Sequence, residues 1–507
     1  MLFSSFAFVF AFLPITLLGF YALKSLGYFQ SAKVFLILAS LFFYGYFKVE
    51  YIFILIFSVL INFTLANLIL RQTSKNSNKN ARNNKFLLYG GIFFNLALLG
   101  GFKYTDFLLE NFNLFSQILN LDFNIPLPHI LLPLGLSFIT FQQIAFLVDC
   151  YKRSGIESLI KVKHIDFIDY ALFISFFPQL IAGPIVHHKE MMPQFASLLH
   201  KGKAFINWEY MAKGLFIFSV GLFKKIYVAD TFALWANKGF WVASNGGTLN
   251  IFEAWATSLS YTFQIYFDFS GYCDMAIGLG LFFGIVLPIN FDSPYKSLNI
   301  AEFWRRWHMT LGRFLKDYLY IPLGGNRVGK LLNLRNLFIV AFLSGIWHGA
   351  GWGFVIWGVL HGSAMCIHRI YTYVKPNWKF FEGIPYKILA WFITFNFLNL
   401  AWIFFRAENL REAFSIIQSM FGITWVELPY KFYSRLKNTF VQLDGNNETL
   451  FMIILAFIVC LGFKNGLERM RGLEPNWFNV FVIIALLYFA LSKLIAIPYV
   501  EFIYFNF

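Results

Sequence analysis

The sequence predicts an all-α, polytopic integral membrane protein, and three observations carry that prediction. Of its 507 residues 58% are hydrophobic and only 13% are charged. The mean hydropathy is +0.61. Apolar windows of roughly the 20 residues needed to cross a bilayer recur along the whole chain. Too few charges are present to clothe a soluble protein of this size. Hydrocarbon offers an exposed backbone amide no partner, so each spanning segment must satisfy its own amides, as a helix does.

Taken in order, the apolar windows fall at 3–22, 33–48, 51–70, 86–103, 129–150, 167–186, 211–230, 252–269, 273–290, 334–348, 350–370, 386–406, 449–464 and 477–498. Some are short enough to be re-entrant or buried helices, so about 11 to 13 crossings are expected. The first window, LFSSFAFVFAFLPITLLGFYAL from Leu2, lacks a basic leader and an A-x-A cleavage pattern, and is expected to stay as a helix. No internal repeat or soluble domain boundary is visible, and residues 1–507 read as a single transmembrane domain. The four cysteines, Cys150, Cys273, Cys366 and Cys460, sit in or beside apolar runs without CxxC spacing, which makes them packing residues.

The net charge of +15 does not imply nucleic acid, because the cations are scattered over short loops. Loop 71–85 carries Arg71, Lys75, Lys79, Arg82 and Lys85 without an acid, and loop 151–165 carries Lys152, Arg153, Lys161 and Lys163. Between them, 104–128 holds Asp106, Glu110 and Asp122 and no cation. That alternation follows the positive-inside rule and places the two basic loops in the cytoplasm and the acidic one outside.

Ionisable residues among apolar helices are costly and mark function by default. From Asn290 the chain reads NFDSPYKSLNIAEFWRRWHMTLGRFLKDYLYIPLGGNR. On a helical wheel Trp304, Trp307, Leu311, Phe314, Leu315 and Tyr318 share one face, and Glu302, Arg305, Arg306, Arg313, Lys316 and Asp317 share the other, with His308 at the edge of the apolar stripe. Such an amphipathic helix either meets lipid phosphates at an interface or attracts a polyanionic substrate, of which an acyl-CoA is the obvious intracellular example. Charge alone does not choose between these.

His348 is a different case. It lies in NLFIVAFLSGIWHGAGWGFVIWGVLHG, from Asn336, a run without acid, lysine or arginine. A lone histidine there can be a satisfied packing residue. Gly345, Gly349, Gly351 and Gly353 remove bulk around it, however, which permits a backbone break or the close approach of a ligand. Imidazole titrates near neutrality, so His348 can serve as a general base. His361 and His368 read as structural supports. No set of residues has metal-ligand spacing, and Walker A, GxGxxG and GxSxG patterns are absent.

Several long motifs, in order, resemble the membrane-bound O-acyltransferase family, in particular its bacterial branch of polysaccharide O-acetylation proteins. They are PLGLSFITFQQIAFLVDCYK from Pro133, FFPQLIAGPIVHHKEMMPQF from Phe176, GLFKKIYVAD from Gly221, YFDFSGYCDMAIGLGLFFG from Tyr266, FWRRWH from Phe303, YLYIPLGGNR from Tyr318 and SGIWHG from Ser344. The resemblance covers nearly the whole chain. It implies a helical bundle around a tunnel or funnel joining a cytoplasmic donor opening to an extracytoplasmic acceptor opening, with 303–348 as the catalytic core. The family's catalytic histidine falls on His348 and its second functional histidine on His308. One departure is the pair His187 and His188 after GPIV, where relatives often carry a basic and an aromatic residue, and it leaves local contacts there open.

The last residues, EFIYFNF over 501–507, read by composition as an interfacial aromatic belt. They also look like the tyrosine motif of related envelope-acylation systems, which implies that Tyr504 receives the acyl group before passing it on. A phenol with a pKa of about 10 forms an ester more activated than an alkyl ester.

The expected activity is therefore transfer of acetyl from cytoplasmic acetyl-CoA, held by Arg305, Arg306, Arg313 and Lys316, across the bacterial inner membrane. His348, His308 and Tyr504 would be catalytic, with no metal and no permanently bound cofactor. The expected partners are a periplasmic SGNH/GDSL-type acetyltransferase and an envelope polysaccharide. Peptidoglycan is the first choice of acceptor, since 27 Lys against 14 Arg suggests an AT-rich coding sequence, and alginate, cellulose or another exopolysaccharide is the alternative. A transporter would predict pseudo-symmetric halves with broken helices, and no duplication is visible. A non-catalytic scaffold that only recruits a transferase is the third reading.

Overall fold

The computed structural model describes residues 1–73, 78–121, 123–152, 165–197, 206–374, 383–426, 439–496 and 502–503. Among them every regular element is helical and no strand occurs. The chain divides into two compact units, one formed by 1–218 and 275–288 and the other by 219–274 and 289–507.

The first unit contains α1 (Leu13–Ser25), α2 (Phe29–Gly45), α3 (Glu50–Thr73), α4 (Asn78–Lys103), α5 (Thr105–Ile118), α6 (Leu136–Lys152), α7 (Phe167–Ser175), α8 (Phe177–Leu180) and α9 (His188–Ser197). A π-turn over Phe8–Phe12 leads into α1. Phe12, Phe43 and Phe177 pack ring to ring at 5.2–5.7 Å. Polar side chains lock three helices together. Gln143 accepts from Ser58 at 2.8 Å and from Asn62 at 2.6 Å, and Asn95 donates to Asn62 at 2.7 Å. Such bonds hold where lipid would leave a polar group unpaired.

Helices α10 (Trp208–Phe223) and α12 (Ile251–Phe282) contain two of the three points at which the chain passes from one unit to the other, and the third follows Pro288. The second unit also contains α11 (Asp230–Ser244), α13 (Ile300–Arg306), α14 (Met309–Leu315), α15 (Lys330–His348), α16 (Trp352–Val374), α17 (Ile384–Arg406), α18 (Leu410–Met420), α19 (Asn447–Gly462), α20 (Gly466–Arg471) and α21 (Trp477–Ala496). Asparagines start several of them: Asn299, Asn409 and Asn465 each accept from the backbone N–H three residues on. That satisfies an amide the first turn would leave unpaired.

Six described helices are long and apolar enough to cross a membrane: Phe8–Ser25, Glu50–Arg71, Arg82–Lys103, Lys330–His348, Ile384–Arg406 and Trp477–Ile495. Two shorter apolar ones follow the same pattern, Phe29–Gly45 and Asn447–Gly462. Along α21 the rings of Trp477, Phe481 and Tyr488 are exposed, as a lipid-facing helix requires. Two sequence expectations are corrected. The windows 252–269 and 273–290 were read as separate spans, yet α12 runs unbroken for 32 residues through Ser270, Gly271 and Tyr272. Gly271 does not break it; a Cβ there would lie 2.8 Å from the Gly221 carbonyl oxygen, so the glycine serves close helix packing. The single amphipathic helix expected around FWRRWH is instead two short helices, α13 and α14, followed by a π-turn over Lys316–Tyr320.

Candidate active site

The interruption between α13 and α14 falls on His308, which adopts a left-handed conformation (φ 45°, ψ 49°) and is fully buried. A non-glycine residue pays for that backbone geometry and needs local partners to hold it. Asn290 supplies them. Its side-chain oxygen lies 3.2 Å from His308 Nδ1, 3.2 Å from the Thr310 backbone N–H and 2.9 Å from Thr310 Oγ1, and its carbonyl accepts the Met309 N–H at 3.0 Å. A backbone N–H can only donate, so Asn290 Oδ1 is an acceptor and His308 Nδ1 must carry the hydrogen. The lone pair of the neutral ring then sits on Nε2. His308 lies outside the six candidate spans, and burial pushes its imidazole down to about 3.

His348 ends α15, and Gly349 to Gly351 form the break before α16. Its ring is nearly buried, with Trp347 at 4.9 Å, Trp357 at 5.2 Å and Phe405 at 5.2 Å between centroids. Forty positions apart in sequence, the imidazoles of His308 and His348 are brought to 6.4 Å between centroids. The two helices that meet at this break are tightly packed. A Cβ on Gly345 would lie 2.6 Å from the Phe354 carbonyl oxygen and 2.7 Å from the Gly358 Cα, so this glycine accommodates α16 rather than a ligand.

A cavity of about 480 Å³ borders α13, α14, α15 and α16. Its α15 wall is Leu337, Val340, Ala341 and Ser344. Positions 337, 341, 344 and 348 repeat every three or four residues and therefore share one stripe, which His348 continues. Ser344 Oγ, almost wholly buried, has no hydrogen-bond partner among the described residues, so this wall carries a polar group that a bound ligand can satisfy. Arg305, Arg313 and Lys316 line the cavity, joined by Arg369 of α16, a cation not singled out in the sequence. Its signal was available, as His368-Arg369 closes an otherwise uncharged run.

Arg306, expected with the other cations, does not line this cavity. It is drawn to acids on its own side, Glu302 at 3.1 Å and Asp292 at 3.5 Å. His361 accepts a hydrogen bond at Nδ1 from Trp304 Nε1 at 3.2 Å and lies 4.3 Å from the Trp357 ring. It thereby braces one wall of the cavity and the tryptophan beside His348. Asn290, Ser344 and Arg369 are the functional candidates that sequence reasoning missed. Among the described residues no group of three His, Cys, Asp or Glu side chains could hold a metal.

Tyr504 lies outside the described residues, but Phe502 and Ile503 are described and buried. Phe502 stacks on Tyr272 at 4.6 Å, and Phe269, which also neighbours Phe502, stands 4.9 Å edge-on to His308.

Comparison with known proteins identifies the family. Residues 118–407 match the profile of MBOAT, the membrane-bound O-acyltransferase family, and so include His308 and His348. A peptidoglycan O-acetyltransferase of Helicobacter pylori is 46% identical over 100% of this chain and 98% of its own length. A probable alginate O-acetylase, AlgI, of Pseudomonas aeruginosa is 38% identical over 84% of this chain and 76% of its own. A teichoic acid D-alanyltransferase of Streptococcus thermophilus is 28% identical over 54% of this chain and 68% of its own.

Proposed function

Because the chain belongs to the membrane-bound O-acyltransferase family, we propose that it takes acetyl from cytoplasmic acetyl-CoA and passes it across the bacterial inner membrane to O-acetylate an envelope polysaccharide. Peptidoglycan is the favoured acceptor, because the relative named for that polymer matches over the full chain at 46% identity, against 38% for the alginate protein. The observation that carries the reading is the pair of imidazoles 6.4 Å apart, whose chain neighbours Met309 and Ser344 line a cavity rimmed by four cations.

Arg305, Arg313, Lys316 and Arg369 suit the phosphates of a coenzyme A thioester, and the apolar α15 wall suits its pantetheine arm. His348 acts as general base on the Tyr504 hydroxyl as that oxygen attacks the thioester carbonyl. The C–S bond breaks, an aryl acetate forms on Tyr504, and the proton returns from His348 to the departing thiolate. His308, with its proton on Nδ1, accepts through Nε2, which fits it to orient a hydroxyl rather than to polarise a carbonyl. In the second step the acetyl leaves Tyr504 for a serine of a periplasmic SGNH/GDSL-type partner, or directly for a sugar hydroxyl.

Protein reconstituted in liposomes with labelled acetyl-CoA tests this. His348→Ala should abolish acetyl transfer while the protein stays folded, and unimpaired transfer would overturn the assignment. Mass-spectrometric mapping should find the label on Tyr504. Turnover without that label, together with a fully active Tyr504→Phe variant, would replace the relay with direct transfer.

A further inference from the structure

The buried ionic cluster formed by Lys225, Asp230 and Asp268 has no part in the chemistry above, yet it touches the segment that carries Tyr504. Lys225 Nζ lies 2.7 Å from Asp230 Oδ1 and 3.1 Å from Asp268 Oδ1. Lys225 is 3% exposed and Asp268 1%. Burying such a pair gains little net stability over an apolar replacement, so its presence asks for a second role. That role is visible at the other carboxylate oxygen. Asp268 Oδ2 accepts the backbone N–H of Ile503 at 2.9 Å, across 235 positions of sequence. Asp268 is thus divided, one oxygen to the ammonium and one to a main-chain amide. A main-chain amide is the one donor of Ile503, so the contact reads the position of the backbone and not the identity of the side chain.

The surroundings fix where Phe502 and Ile503 are held. Phe502 is 1% exposed and Ile503 5%. The Phe502 ring stacks on Tyr272, one helical turn after Asp268 on α12, and neighbours Phe269, whose edge meets His308.

We propose that Asp268, oriented by Lys225, is a positioning residue that anchors Phe502 and Ile503 through the Ile503 amide, one ring away from His308. The proposal deepens the acetyl relay and rests on it for its consequence. With Ile503 held, Tyr504 searches from a tether of one residue, and a short tether raises the effective concentration of its hydroxyl at the site. The acetyl acceptor is then covalently one residue away from an anchored backbone amide.

Hydrogen exchange of the full-length protein in nanodiscs, read beside acetyl-transfer kinetics, tests the dock and the relay separately. Asp268→Asn leaves Lys225 with one carboxylate and can disturb folding, so Ile503→Pro is the second variant; it deletes the one N–H and keeps the ion pair. In both, amides of the 501–507 segment should exchange at least about tenfold faster, while peptides covering His308 and His348 exchange as in the wild type. In Ile503→Pro, kcat for acetyl transfer should fall about tenfold or more, KM for acetyl-CoA should stay unchanged and the thermal midpoint should hold. A merely structural role would move the midpoint and the His308 and His348 peptides as well, and that pattern overturns the proposal. Unchanged exchange in Ile503→Pro also overturns it. Faster exchange with unchanged transfer upholds the dock and overturns the relay through this segment.

Discussion

Gly345→Ala is the sharpest probe of how the break after His348 is held. The added Cβ would stand 2.6 Å from the Phe354 carbonyl oxygen and 2.7 Å from the Gly358 Cα, where ordinary contact begins at 3.4 Å. Both obstacles are backbone, so no side-chain rotation relieves them and α16 must retreat by 3.4 minus 2.6, about 0.8 Å. Overpacking of this kind costs about 1–3 kcal/mol. The retreat carries Trp357 away from His348 and Arg369 away from the other cations. A misplacement of about 1 Å costs on the order of 10²-fold in rate, so a fall of roughly 10-fold to 10²-fold in kcat is expected. The assay is single-turnover consumption of acetyl-CoA by purified protein, with the thermal midpoint measured beside it. Gly351→Ala is the control, since its Cβ would meet the nearest atom, Phe354 Cδ2, at an ordinary 3.6 Å. A Gly345→Ala rate within twofold of wild type, with an unmoved midpoint, would refute the reasoning.

Two further outcomes follow from the site. Arg369→Gln should raise KM for acetyl-CoA a few-fold with kcat nearly unchanged, in line with about 0.2–1 kcal/mol for a solvent-reached ion pair. Arg306→Gln, which breaks contacts to Glu302 and Asp292, should move stability more than KM; equal KM effects for the two variants would sink the cation assignment. His308 gives a pH effect of definite sign. Its folded value of about 3 lies below the unfolded one of about 6.5, so the unfolded state binds the extra proton and stability falls as pH drops below about 6.5. The slope reaches about 1.4 kcal/mol per pH unit. The thermal midpoint of His308→Asn should therefore fall less between pH 7.5 and 5.5 than that of the wild type, and parallel slopes would refute the buried neutral ring.

The helical membrane class was legible because a bilayer fixes both the length and the apolarity of its helices. Boundaries were less so. Gly271 falls between two windows read as separate spans, but its role is decided by Gly221, fifty residues away. The wheel drawn over 302–318 assumed one screw axis and had no means of registering a left-handed His308, which depends on three hydrogen bonds to a single side-chain oxygen of Asn290. His348 was singled out through its glycines and the ordered motifs, yet its nearness to His308 is a tertiary fact. Arg369 was hidden at the end of a window counted as membrane. The rule that flagged the 290–327 cations applies equally to Lys225 and Asp268, which lie 43 positions apart in sequence and meet only in the fold.

The ionic cluster also bears on how the protein is made. A charge at the bilayer centre penalises a lone helix by about 2.5–3.5 kcal/mol, and α12 carries both Asp268 and Asp274 while the chain just before α11 carries Lys224 and Lys225. Lys224 pairs with Asp274 at 2.6 Å as Lys225 pairs with Asp268. Helices charged in this complementary way are best released into lipid together, after each has found its counterion. The last partner of Asp268 is not synthesised until the ribosome has passed residue 503. Biogenesis of this core therefore ends late, and a ribosome stalled upstream of that codon leaves a chain in which Asp268 is still one hydrogen bond short.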